Sequence, residues 1–131
     1  MRALGRTGVA VAAVVAAGVV AAAPAGAEIT GITVEPGISS GSASPFGTGC
    51  AYTVTAQAAP GEYVSFYDSQ QGSFDPPSAI PVGPSGLATA VWTPHERGAH
   101  TLHAVQIGGG KSVRVEVGTG IDLGLACLAL A

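Results

Sequence analysis

Histidines, cysteines, serines and paired carboxylates are the residues here that could do chemistry. The chain's three histidines, His95, His100 and His103, lie close together in sequence. Imidazole is the commonest protein ligand for metals, so zinc is the first chemistry to test. Residues 100 and 103 of one strand are an odd step apart and point to opposite faces. His95 belongs to the preceding turn, "PHERG". Local geometry therefore presents no two of them together. His95, Glu96 and His103 make a metal-dependent enzyme only if folding brings them within about 4 Å of one point. The plainer reading makes His100 a hydrogen-bonded corner residue and leaves His95 and His103 in solvent. No metal or cofactor is expected.

Serines are plentiful, but none sits in a G-x-S-x-G elbow, and no catalytic residue is predicted. Asp68 and Asp75 flank "SQQGSF". Two acids on a polar loop suggest calcium, but calcium takes roughly six to eight oxygens and this loop lacks D-x-D-x-D spacing. "GGG" at residues 108–110 is not followed by a helical pattern, so it reads as a turn and not as a phosphate cradle. Tyr63 and Tyr67, with Asp68 and Asp75 beside them, form the candidate binding surface for a sugar or a protein.

The elements that must position these residues begin after a leader. Arg2 and Arg6 precede an uninterrupted Val, Ala and Gly run over residues 9–22, then "AAAPAGAE". That is the layout of a secretory signal peptide, with Ala25-Gly26-Ala27 fitting the cleavage rule. Residues 1–27 are read as the signal and 28–131 as one domain, with cuts after Ala23 or Ala25 as alternatives. The apolar run is short of the roughly 20 residues of a bilayer span, so no stable span is expected after removal. Losing Arg2 and Arg6 takes the net charge from −3 to −5. The remaining cations, Arg97, Lys111 and Arg114, are scattered, which disfavours nucleic acid and an anionic membrane surface.

Residues 28–131 show no helical period. Gly and Pro, 20 and 9 in number over the whole chain, cut the sequence into short alternating runs. Strands are predicted at 29–35, 50–57, 63–68, 79–82, 87–93, 99–107 and 111–117. Regular turn signals between them argue for an all-β antiparallel sandwich of about seven strands. Its core is thin, rich in Ala and Val, and a covalent staple would help it.

Three stretches, "GEYVSFYD", "IPVGPSGLATAVWTP" and "RGAHTLHAVQIGGG", resemble the bacterial immunoglobulin-like domains of secreted and surface proteins. The resemblance covers about residues 51–117. It implies an immunoglobulin-like sandwich and a spacer, adhesive or binding role at or outside the cell surface, free or on the cell wall, with no shared active site. "GAHTL" is similar to the corner before the sixth strand of immunoglobulin sandwiches. There His100 stands where a Tyr is usual and Leu102 where a core Cys is usual. In a sandwich of this order the last strand ends at the pole where Cys50 opens the second strand. The tail after residue 117 could then bring Cys127 to Cys50. Two cysteines in an exported chain most often pair. A bridge between molecules is the competing arrangement.

Ile121, Leu123, Leu125 and Leu128 are then expected to cover an open edge or end of the sandwich, or to add to a neighbour's sheet. The expected partner is a protein or carbohydrate, and the chain is expected to be a monomer. The alternative is a secreted small-molecule carrier, needing an apolar pocket between the sheets, or an inhibitor of an extracellular enzyme acting through loops 38–49 and 69–77.

Overall fold

The structure is a computed structural model that describes residues 28–41 and 43–131. The signal peptide and cleavage positions expected from the sequence fall on residues 1–27, outside the described residues. Strands follow in chain order as β1 (Gly31–Val34), β2 (Ile38–Ser39), β3 (Tyr52–Gln57), β4 (Tyr63–Asp68), β5 (Gly72–Asp75) and β6 (Ile80–Pro81). They continue as β7 (Leu87–Pro94), β8 (Gly98–Gln106), β9 (Gly109–Val117), β10 (Thr119–Asp122) and β11 (Cys127–Leu130). One four-stranded sheet has the order β1-β3-β7-β5 and a second has β6-β4-β8-β9. Every pairing within these two sheets is antiparallel.

Alternation in the sequence becomes alternation between core and solvent. In β3, Tyr52, Val54 and Ala56 are buried; in β7, Ala88, Ala90 and Trp92 are buried. The facing sheet contributes Val64, Phe66, Leu102 and Ala104. Ile32 and Val34 of β1 and Val113 and Val115 of β9 pack on this core from its margins. With one face of each sheet buried, side-chain period two fixes the register.

The tail departs from the expected role. β10 and β11 form a hairpin, and β11 pairs in parallel with β2, making a third, three-stranded sheet. The Cys50–Cys127 bridge closes within the chain, with Cα atoms 5.7 Å apart. Residues 120, 127 and 129 share the inward face: Ala129 is fully buried and Cys127 packs on the core. A Cβ on Gly120 would run into the Thr48 carbonyl and lie 2.9 Å from the Cys50 sulfur. Glycine there is what lets the tail backbone close on the loop before β3. Ile121, Leu123 and Leu125 are exposed and Leu128 only half-buried, all off the sandwich. The tail is held by its small residues and its disulfide while its large aliphatics face outward, the reverse of the expectation.

β2 and β5 lie in stretches read as loops. β2 is two residues long, and "GSFD" of β5 carries a single large apolar side chain, so neither offers a period to detect.

Candidate binding surface and the buried network beneath it

β4 builds both faces of the site. Its period two sends Tyr63, Ser65 and Tyr67 outward and Val64, Phe66 and Asp68 inward. An inward carboxylate is costly unless its oxygens are satisfied. The Asp68 side chain is fully buried, and three groups supply donors to it. Trp92 Nε1 donates to Oδ2 at 2.9 Å, the Gln70 amide donates to Oδ1 at 2.9 Å, and His100 Nδ1 lies 2.7 Å from Oδ2. Gly72 makes room, because a Cβ there would collide with Asp68 Oδ2 and lie 2.8 Å from Trp92 Nε1.

His100 is buried at the start of β8, with Nε2 2.7 Å from the Glu96 carbonyl. A carbonyl can only accept, so Nε2 carries a proton. The Nδ1–Oδ2 contact then needs a proton of its own, since two lone pairs would otherwise face each other at 2.7 Å. The Asp68–His100 pair therefore shares that proton and is uncharged as a whole, which suits its burial. His100 thus ties the 94–97 turn to the core, as the Tyr of an immunoglobulin corner does by bonding back to backbone upstream.

Aromatic rings complete this pole. Phe46 meets Tyr52 and Trp92 at centroid distances of 5.0 and 5.8 Å, and Trp92 and His100 meet edge to face at 5.8 Å. Edge-to-face contacts of this kind add to the area they bury. The Gly47 amide donates to the Tyr52 hydroxyl at 2.7 Å. Burial raises the Tyr52 pKa above its ordinary value, and the Gly47 hydrogen bond opposes that shift.

Above the network, on the outer face, the Tyr67 ring stacks on His103 from the neighbouring strand, with centroids 4.4 Å apart and planes 10° from parallel. Tyr63 stands exposed on the same face, opposite Pro81. Ser65 and Val105 lie between these positions in the ladder.

The four residues grouped from sequence are therefore divided. Tyr63 and Tyr67 share one surface. Asp68 is withdrawn beneath it, because its carboxylate is engaged by Trp92, His100 and Gln70. Asp75 is exposed on β5, in the other sheet. The histidines are separated too: His95 Nε2 lies 3.2 Å from Ser73 Oγ, His100 is in the core, and His103 is under Tyr67. Among the described residues, no group of three His, Cys, Asp or Glu side chains converges on a point. Two open clefts, of about 310 and 300 Å³, flank the disulfide outside the sheets; Glu35 lines one and Asp122 the other. The space between the sheets is filled by Trp92, Leu102, Val54 and Val64.

The role of Trp92 is the residue-level feature that sequence reasoning missed. Its signal is the pairing of "VSFYD" with "AVWT": an inward Asp near an inward Trp on strands that must face each other.

No protein-family model matches the chain, and no curated protein matches it. Among the solved structures that resemble it are two of intimin. The D00-D0 domain of intimin superposes with a TM-score of 0.54 at 19% identity, covering 68% of this chain and 46% of that one. A C-terminal 282-residue fragment of intimin, in complex with the intimin-binding domain of the translocated intimin receptor, superposes with a TM-score of 0.51 at 20% identity. That match covers 72% of this chain and 35% of the other. The chain thus spans less than half the length of either. The two facing antiparallel sheets, the His100 corner and these superpositions together make the fold an immunoglobulin-like β-sandwich.

Proposed function

We propose that this chain is an exported immunoglobulin-like module of the bacterial surface-domain kind. It binds a protein or carbohydrate at or outside the cell surface and catalyses no reaction. The observation that carries this reading is the stack of the exposed Tyr67 on the half-buried His103, on the outer sheet face with exposed Tyr63 beside it. Aromatic rings held rigidly lose little entropy on contact, which favours both sugar stacking and protein recognition. Their rigidity comes from below: Asp68, next in sequence to Tyr67, is held by three partners. His100 and Asp68, whose side chains are of the kinds that do chemistry, are engaged in holding the fold. The protein-binding side gains support from the intimin fragment, whose solved structure holds a receptor domain.

The test is a binding screen of the exported chain against immobilised glycans and against intact cells, run beside the Tyr63→Ala/Tyr67→Ala double variant. Both side chains are exposed, so the variant should keep the thermal midpoint of the parent. Binding that falls about tenfold or more in the variant supports the reading. Binding that survives unchanged, or no binding by the parent, overturns it.

A further inference from the structure

Tyr63 and Tyr67, on the outer face of the β6-β4-β8-β9 sheet, are 60% and 49% exposed. They stand four residues apart on β4, about 13 Å along the strand. His103 covers one face of the Tyr67 ring, so the exposed half is the other face and the ring's edge. β6 pairs with β4 only at Tyr63 and Val64, which leaves that side of Tyr67 open. Between the two rings the floor is low, because Ser65, Val105 and Gly110 follow one another across three strands. Ser112 lies beside His103 on β9, and Thr101 is the next outward residue of β8. Among the described residues, the strands of this face present two charged side chains, Arg114 and Glu116. They are of opposite sign and lie 3.8 Å apart on the edge strand.

We infer, on the reading that this face is the binding surface, that its ligand is the chain of an uncharged polysaccharide laid along β4. The apolar face of a sugar ring matches a phenol ring in size, and two rings about 13 Å apart engage separate sugars of one chain. Ser65, Thr101 and Ser112 carry hydroxyls, which both donate and accept and so pair with sugar hydroxyls. Arg114 and Glu116 leave the face without net charge, so it offers an anionic or a cationic ligand no advantage. The Tyr67 ring is fixed in advance by His103, so little ordering is required on contact. A folded protein fits less well. The centre of a protein interface is a contiguous apolar cluster, whereas here a serine separates the rings and a glycine lies beside them. Ile107, 92% exposed, stands at the margin in the turn after β8.

Affinity gels cast with glucan, mannan or galactan and run with the purified exported chain test this, with polygalacturonate as the charged control. The expected result is retardation by at least one of the neutral polymers. Soluble oligosaccharides of that polymer should compete more strongly with length until they span about 13 Å. Tyr63→Ala and Tyr67→Ala should each weaken retention about tenfold, the scale of one aromatic contact. Leu125→Ser, on the tail, should leave it unchanged. Binding to intact cells that needs both tyrosines, survives an excess of the neutral polymers and is lost when the cells are treated with protease overturns the polysaccharide. It leaves the binding surface standing, with a protein as its partner. Stronger retardation by polygalacturonate overturns the uncharged ligand, and a single sugar that competes as well as the chain overturns the extended one. Binding indifferent to both tyrosines, or none to any target, overturns the surface and the ligand together.

Discussion

The two ends of the sandwich are built on different principles. At one, Phe46, Tyr52, Trp92 and His100 pack ring against ring over the buried Asp68, and the Cys50–Cys127 bridge lies beside them. At the other, Ala56, Ala88, Val64 and the fully buried Ile29 fill the core, and the chain turns through residues 83–86 and 107–108. The first end uses large side chains and satisfied polar groups. The second is packed by aliphatic side chains, most of them small, and brings no ring. Large rings gain more from burial, but only if every polar atom they bring finds a partner. Stability should therefore be concentrated at the aromatic end, where the tail and the tied turns also lie.

Substitutions graded by expected effect can break or sharpen that contrast. Cys50→Ser/Cys127→Ser should cost the most, about 4 kcal/mol in the chain-entropy account for a 77-residue separation. Denaturant titration of parent and variant measures it, and a cost near zero would mean the pole holds without its staple. Asp68→Ala comes next, at about 3 kcal/mol, because it leaves Trp92 Nε1 and the Gln70 amide without an acceptor. The same titration reads the loss. An increase in hydrogen exchange at residues 69–71 and 95–97 would localise it to the turns that Asp68 and His100 hold. Ala88→Gly, at the lean end, should cost only about 1 kcal/mol through strand entropy and a lost methyl contact. A larger loss there than at Asp68 would reverse the contrast between the ends.

Much of this was legible in residue order, but unevenly. "YTVTAQ", "LATAVWT" and "KSVRVEV" alternate cleanly, and their strands lie where the alternation predicts, within about two residues at the ends. The pairing of Cys50 with Cys127 followed once both were placed at one pole. Asp68 shows where reading by residue type fails. Parity puts it inward with Val64 and Phe66, charge argues for the surface, and parity wins because three donors converge there. The Gln70 amide is two residues on, but Trp92 and His100 come from distant strands, so no local window reveals the full set. The tail failed for a related reason. Its apolar residues read as a covering, but in β10 and β11 the positions that face the sandwich are Gly120, Cys127 and Ala129, chosen for closeness of backbone. Large side chains signal burial only where space is available.

The bridge also determines how the folded chain carries a pull. Tension applied between the two ends of the described domain crosses from Cys127 to Cys50 through sulfur, so the strands from β3 to β10 lie outside its path. The strained segments are those before Cys50 and after Cys127; β1 lies in the first, and side by side across the two stand β2 and β11. These two run parallel and are drawn in opposite directions, so their hydrogen bonds are loaded together in shear and do not open one by one. Under load the domain can lengthen only by its outer segments, while the sheet face bearing Tyr67 stays folded behind the disulfide.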